Sequence, residues 1–165
     1  MVRSSTRFKK SLEDWLSDAQ RVVLVGIGNP IRMDDYVGVK IIQDLSENVS
    51  DKVFALECET VPESFIQQII EFHPTHILLV DAAILGLEPG NCKLVEPGLL
   101  TESSAFSTHM LPLRIFCDYV LEATGAKMAL LLIEPEKSDF GEGLTSKVEA
   151  SAKELVKILL QVLPR

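Results

Sequence analysis

VVLVGIGNPIRMDDYVG, residues 22–38, decides how the rest of the chain is read. A run of β-branched residues and Leu ends in Gly26-Ile27-Gly28-Asn29-Pro30. The carboxylates Asp34 and Asp35 follow, and directly behind them Val37, Ile41, Ile42 and Leu45 fall on one helical face. The unbroken apolar run predicts a strand buried on both faces, as in a parallel sheet. A strand, a tight glycine turn and acids at a helix start place charged side chains at the carboxyl edge of such a sheet, where open α/β folds keep their sites.

Two later segments end in the same kind of place. His76–Ala82 (HILLVDA) is a strand that closes on Asp81, and Ser107–Pro112 (STHMLP) carries His109 ahead of a helix over Leu111–Thr124. Val53–Cys58 and Met128–Glu134 read as further strands, Asn91–Glu96 as a short edge strand, and Leu144–Leu163 as a closing helix. Thr60-Val61-Pro62-Glu63 has the order of a capping box opening a helix to Phe72. Strands alternating with helices predict an α/β three-layer sandwich forming a single domain over residues 21–165. Residues 1–20 form an N-terminal helical extension, with Ser11 as a candidate cap before Leu12, Trp15 and Leu16.

Composition sets bounds on function. A net charge of -8 argues against nucleic acid, whose phosphates call for a surplus of Lys and Arg. Cys58, Cys92 and Cys117 are widely spaced with no CxxC, which fits reduced thiols better than a disulfide frame or structural zinc. The basic N-terminus lacks the apolar core of a secretory signal, and no apolar run approaches the roughly 20 residues that span a bilayer. A cytoplasmic monomer without membrane insertion is the expectation.

Gly26-x-Gly28 begins like a dinucleotide fingerprint, but Ile31 takes the place of the third glycine and Pro30 removes a backbone donor. The glycines then serve a sharp turn beside the site. Of Asp34 and Asp35, at least one is expected to cap the following helix, which leaves the other to point elsewhere. Asp81 either caps the turn at 82–86 or acts in a site, since a charge at the end of ILLV needs pairing, hydrogen bonds or a metal. His109 is either a loop histidine bonded to backbone or a ligand. Two Asp and one His are competent ligands for a divalent first-row metal. Neither HExxH nor GxSxG is present, and His73 and His76 lie far from the carboxyl edges.

With these motifs the chain resembles the hydrogenase maturation endopeptidases, the family that trims the C-terminal tail from the large subunit of nickel–iron hydrogenases. GIGNPIRMDDYVG follows the family's G-x-G-N-x-x-x-x-D-[DE]-G-x-G, ILLVDA its strand ending in Asp, and STHMLPL its T-H-x-x-P-L-like segment. Asp-Asp with THMLPL is closer to the hydrogenase 3 (formate-hydrogenlyase) branch. The resemblance implies that Asp35, Asp81 and His109 form the catalytic and metal-binding trio of an aspartic-type, nickel-dependent endopeptidase. Nickel would arrive in the active site of the substrate, a large-subunit precursor, and other divalent metals could substitute. It also implies a five-stranded mixed sheet of order 2-1-3-5-4 with the short fourth strand antiparallel. Tyr36 stands where the family has Gly; with Gly28 and Asn29 it is a candidate for substrate binding. Glu57 at the end of the second strand is a candidate further carboxylate. Ile31, Met33, Met110 and Leu111 are either a groove beside the trio or core.

Two alternatives belong to other classes. Peptidyl-tRNA hydrolases share strand-G-x-G-N-P but then want a catalytic His-Asn, where this chain has Met33-Asp34-Asp35. A non-catalytic metal- or partner-binding protein of the same fold is the other.

Overall fold

A computed structural model describes residues 2–99 and 110–165. The strands are β1 (Val22–Ile27), β2 (Val53–Glu59), β3 (His76–Ala82), β4 (Cys92–Val95) and β5 (Lys127–Ile133), and the helices are α1 (Val2–Trp15), α2 (Val37–Leu45), α3 (Ile66–Phe72), α4 (Met110–Thr124) and α5 (Ser146–Val162). The sheet runs β2-β1-β3-β5-β4. Its first three pairings are parallel, and β4 joins β5 antiparallel, Cys92 opposite Ile133 and Val95 opposite Leu130. This is the mixed sheet expected.

Alternation along the strands sorts their side chains into two cores. Val22, Leu24, Leu78, Val80, Ala129 and Leu131 face α2 and α5, while Val23, Val25, Ile77, Leu79, Leu130 and Leu132 face Ile69 of α3 and Phe116 and Val120 of α4. All residues of β1 and β3 are buried, which is why both read as continuous apolar runs rather than alternating ones. Leu12 and Leu16 sink into the first core, so α1 is seated on the α2/α5 face.

Local details depart from the sequence reading in two places. Ser11 does not cap a helix: α1 already starts at Val2, and the Ser11 hydroxyl donates to the Arg7 carbonyl oxygen one turn back. The capping box at Thr60 does not form either. The chain leaves β2 through Glu59 at φ 51, and the following turn opens at Val61 as a 3-10 helix, Pro62–Phe65, without a side-chain cap. Positive φ at Glu59 turns the backbone away from the geometry a cap at Thr60 would need.

At the end of the sheet opposite the acids, a cleft of about 660 Å³ is lined by Trp15, Asp18, Glu96, Leu121, Lys127 and Met128. Lys127 opens β5, so this hollow lies at the amino-terminal ends of the strands. His76 sits there, edge-on to Trp15, with Nε2 3.2 Å from Asp18 Oδ1 but without the alignment of a hydrogen bond.

Candidate active site

The carboxyl edge of β1 ends in a turn that only glycine can make. Gly28 adopts φ 149, and a Cβ there would lie 2.0 Å from the Asp35 carbonyl oxygen. Its N–H donates to the Glu59 carbonyl oxygen at 2.9 Å, across a shift in register between Gly26 and Ile27. Asn29 then folds the chain back: its Oδ1 accepts the Ile31 N–H at 3.1 Å, and its carbonyl accepts the Arg32 N–H at 3.1 Å. The Asn29 N–H donates to Asp35 Oδ2 at 3.0 Å. The turn therefore spends its donors on the protein itself, and on a carboxylate, which disposes of a phosphate-binding role.

Asp34 and Asp35 lie in a 3-10 turn, Met33–Tyr36, ahead of α2. Neither caps a helix: the cap positions are Arg32 for the turn and Tyr36 for α2, and no side chain bonds to either end. The inserted 3-10 turn moves the acids off the position from which a side chain reaches the first free N–H groups. The pair divides its work differently. Asp34 is fully buried and turned toward the loop between β5 and α5, whereas Asp35 is half-buried and faces the glycine turn.

Asp81 is fully buried near the end of β3, and one of its oxygens accepts the Ala82 N–H at 2.8 Å. Two features bring it to the same edge as Asp35. The 3-10 turn packs against β3. Gly38, three residues beyond Asp35, is wedged between the ends of β1 and β3, so that a Cβ on it would meet the carbonyl oxygens of Ile27 at 2.5 Å and Val80 at 2.1 Å. Asp81 is thus one residue beyond Val80, whose carbonyl meets the first turn of α2, three residues past Asp35. His109 lies outside the described residues. Among those described, no three His, Cys, Asp or Glu side chains gather closely enough to hold a metal.

Tyr36 takes φ -78, a helical value open to any L-residue, so the place of the family's glycine is filled without strain. Its hydroxyl donates to Gln43 at 3.0 Å; burial first, then the neighbouring Glu57 charge, push its pKa up. Glu57 is exposed on β2, opposite Gly26. Of the candidate groove residues, Ile31 is 52% exposed and Met33 half-buried, while the side chains of Met110 and Leu111 lie outside those described. The thiols are no nucleophiles: burial pushes Cys58 and Cys117 up to about 12 and Cys92 up to about 11.

Two structural residues beside the site escaped the sequence reading. Glu134, just beyond β5, is 5% exposed, and its Oε1 accepts the N–H groups of Leu85 at 2.9 Å and Leu87 at 2.7 Å, anchoring the loop that follows Asp81. It closes MALLLIE just as Asp81 closes ILLVD, and the same argument about a charge ending an apolar run could have found it. Thr145 gives both its N–H and its hydroxyl to Asp34, and nothing in its local sequence announces this.

A five-stranded sheet in this order, with Asp81 near the end of β3 and the Asp34–Asp35 turn packed against that strand, defines a protein of the α/β endopeptidase type seen in the hydrogenase-processing proteases. The chain belongs to the hydrogenase maturation protease family, whose HycI model matches residues 39–162. The matched segment begins just past the Asp34–Asp35 turn and includes Glu57, Asp81 and His109. The crystal structure of a [NiFe] hydrogenase maturation protease HycI from Thermococcus kodakarensis superposes with a TM-score of 0.85 at 35% identity, covering 93% of this chain and 98% of its own. A putative hydrogenase maturation protease of Methanocaldococcus jannaschii is 30% identical over 94% of this chain and 95% of its own length. The hydrogenase 3 maturation protease of Escherichia coli K12 is 28% identical over 77% and 81%.

Proposed function

We propose that the protein removes the C-terminal tail of a nickel–iron hydrogenase large-subunit precursor once nickel has been inserted. Asp35, Asp81 and His109 recognise that nickel. The observation that supports this most is that the turn carrying Asp35 packs against β3, the strand that carries Asp81 near its end, in a chain of the hydrogenase maturation protease family. Carboxylate oxygens and an imidazole suit a borderline divalent ion such as nickel. Asp35 has one oxygen engaged by the Asn29 N–H, which orients the side chain and leaves acceptor capacity for a cation.

The metal belongs to the substrate in this reading, so the enzyme acts as a checkpoint: a precursor without nickel offers the acids nothing to hold. Nickel drawn against the site brings the tail to the turn formed by Gly28, Asn29 and Tyr36. A metal there would polarise the scissile carbonyl or a water. Recognition alone is served by the same ligands, and Glu57 stands on the neighbouring strand as a further carboxylate.

Mass spectrometry of a large-subunit precursor, incubated with and without nickel, tests the proposal. Wild type should release a C-terminal peptide only from nickel-loaded precursor, and Asp35→Ala and Asp81→Ala should release none. Cleavage that ignores nickel would remove the checkpoint, and cleavage by both variants would remove the acids from the site.

A further inference from the structure

The charge of Asp34 has no part in the proposed recognition of nickel, yet it is completely buried. Its Oδ1 accepts the Thr145 N–H at 2.8 Å, and its Oδ2 accepts the Glu136 N–H at 2.9 Å, the Lys137 N–H at 3.0 Å and the Thr145 hydroxyl at 2.7 Å. Its own N–H donates to the Lys137 carbonyl oxygen at 3.0 Å. Burying a carboxylate is costly, and it is offset here by these four donors, which an apolar side chain would leave without an acceptor. What the charge adds is a set of fixed directions.

Those directions bear on a contorted turn. Met33, immediately before Asp34, holds φ 46, a left-handed conformation that non-glycine residues avoid. It is kept there by bonds to the same loop: the Met33 N–H donates to the Gly141 carbonyl at 3.1 Å, and the Gly141 N–H to the Ile31 carbonyl at 2.9 Å. Such strain persists only where the surroundings over-determine it, and it collects where a side chain must be aimed. Asp35 lies two residues further along the same 3-10 turn.

We propose that Asp34 is a positioning residue for Asp35: by latching the 136–145 loop onto the 31–35 turn, its carboxylate holds the turn in the strained form that presents Asp35 to the substrate. The inference rests on the reading of Asp35 as a site residue. Asp34 itself touches only protein, and its effect passes through the Asn29–Asp35 bond at the mouth of the turn.

Asp34→Asn tests this, since it keeps the size of the side chain and exchanges one acceptor oxygen for a donor. Amide hydrogen exchange and cleavage kinetics on nickel-loaded large-subunit precursor are compared with Ile69→Val, a mild core change in α3 on the far face of the sheet. Asp34→Asn should speed exchange at Lys137, Thr145 and Asn29 beyond the Ile69→Val control. It should lower kcat by about tenfold or more while KM stays within about threefold. Thr145→Val, which removes one of the bonds, should act in the same direction more weakly and add little to Asp34→Asn. Unchanged exchange at Asn29, or a kcat no lower than in Ile69→Val, would overturn the inference. If wild type cleaves no precursor, the protease reading falls instead, and the Asn29 exchange alone then decides for or against the latch.

Discussion

Gly38 and Val80 touch so closely that a Cβ on the glycine would stand 2.1 Å from the Val80 carbonyl oxygen. The contact seats the first turn of α2 on the strand that delivers Asp81. Backbone cannot swing aside as a side chain can, so Gly38→Ala must part α2 from the sheet. It should cost about 3 kcal/mol or more in urea unfolding, at the upper end of overpacking effects. Gly98→Ala, where added carbon meets open space, should leave the midpoint unchanged.

The two bonds that Glu134 receives from Leu85 and Leu87 both end on Oε1. A glutamine can keep that oxygen in place, whereas an alanine leaves two N–H groups without an acceptor. Glu134→Gln should therefore change stability by less than about 1 kcal/mol, and Glu134→Ala should cost about 2–4 kcal/mol. Thermal melts of the two variants at neutral pH check the ranking, and equal losses would refute it.

His76 supplies a pH dependence. Desolvation lowers its pKa below the ordinary 6.5, against the upward pull of Asp18. The folded state thus binds its proton less well than the unfolded one. The contribution to stability is complete above pH 6.5 and is lost as the pH falls from there through the lowered folded-state value. Urea midpoints should drop between pH 7.5 and pH 5, and His76→Leu should flatten that part of the curve. A slope of equal size in the variant would exclude His76 as its source.

Cys58 and Cys117 are each 1% exposed, with thiols held up to about 12. Iodoacetamide at pH 8 should leave both unmodified in the native protein and label them in urea, as read by peptide mass spectrometry. Precursor cleavage should survive the native treatment, because the proposed site uses no cysteine.

Much of this was legible in the chain. The strands stand out because the sheet is covered on both faces, so β1, β3 and β5 are nearly continuous apolar runs. Strand order is another matter: periodicity says which residues are buried, not which strand lies beside which, and the 2-1-3-5-4 order came with the family resemblance. Asp35 was visible as an acid at a helix start and Asp81 as an acid at a strand end. The role of Asp34 was hidden because most of its partners are backbone N–H groups, which every residue but proline carries and no sequence marks. Capping failed as a guide for a related reason. Ser11, Thr60 and the Asp pair all have the chemistry of caps, but where a helix begins is set by the strand or turn feeding it.

The acceptors of Asp34 and the groups that satisfy them are separated by 102 to 111 residues of chain. During synthesis, the turn bearing Asp35 emerges long before the loop that fastens it. Until then its inward carboxylate has only water to bond, and the left-handed Met33 has nothing to hold it. If Asp34 positions Asp35 as proposed, a nascent chain carries Asp35 before the contact that aligns it. On that proposal the site is complete only once the loop between β5 and α5 has closed onto the turn.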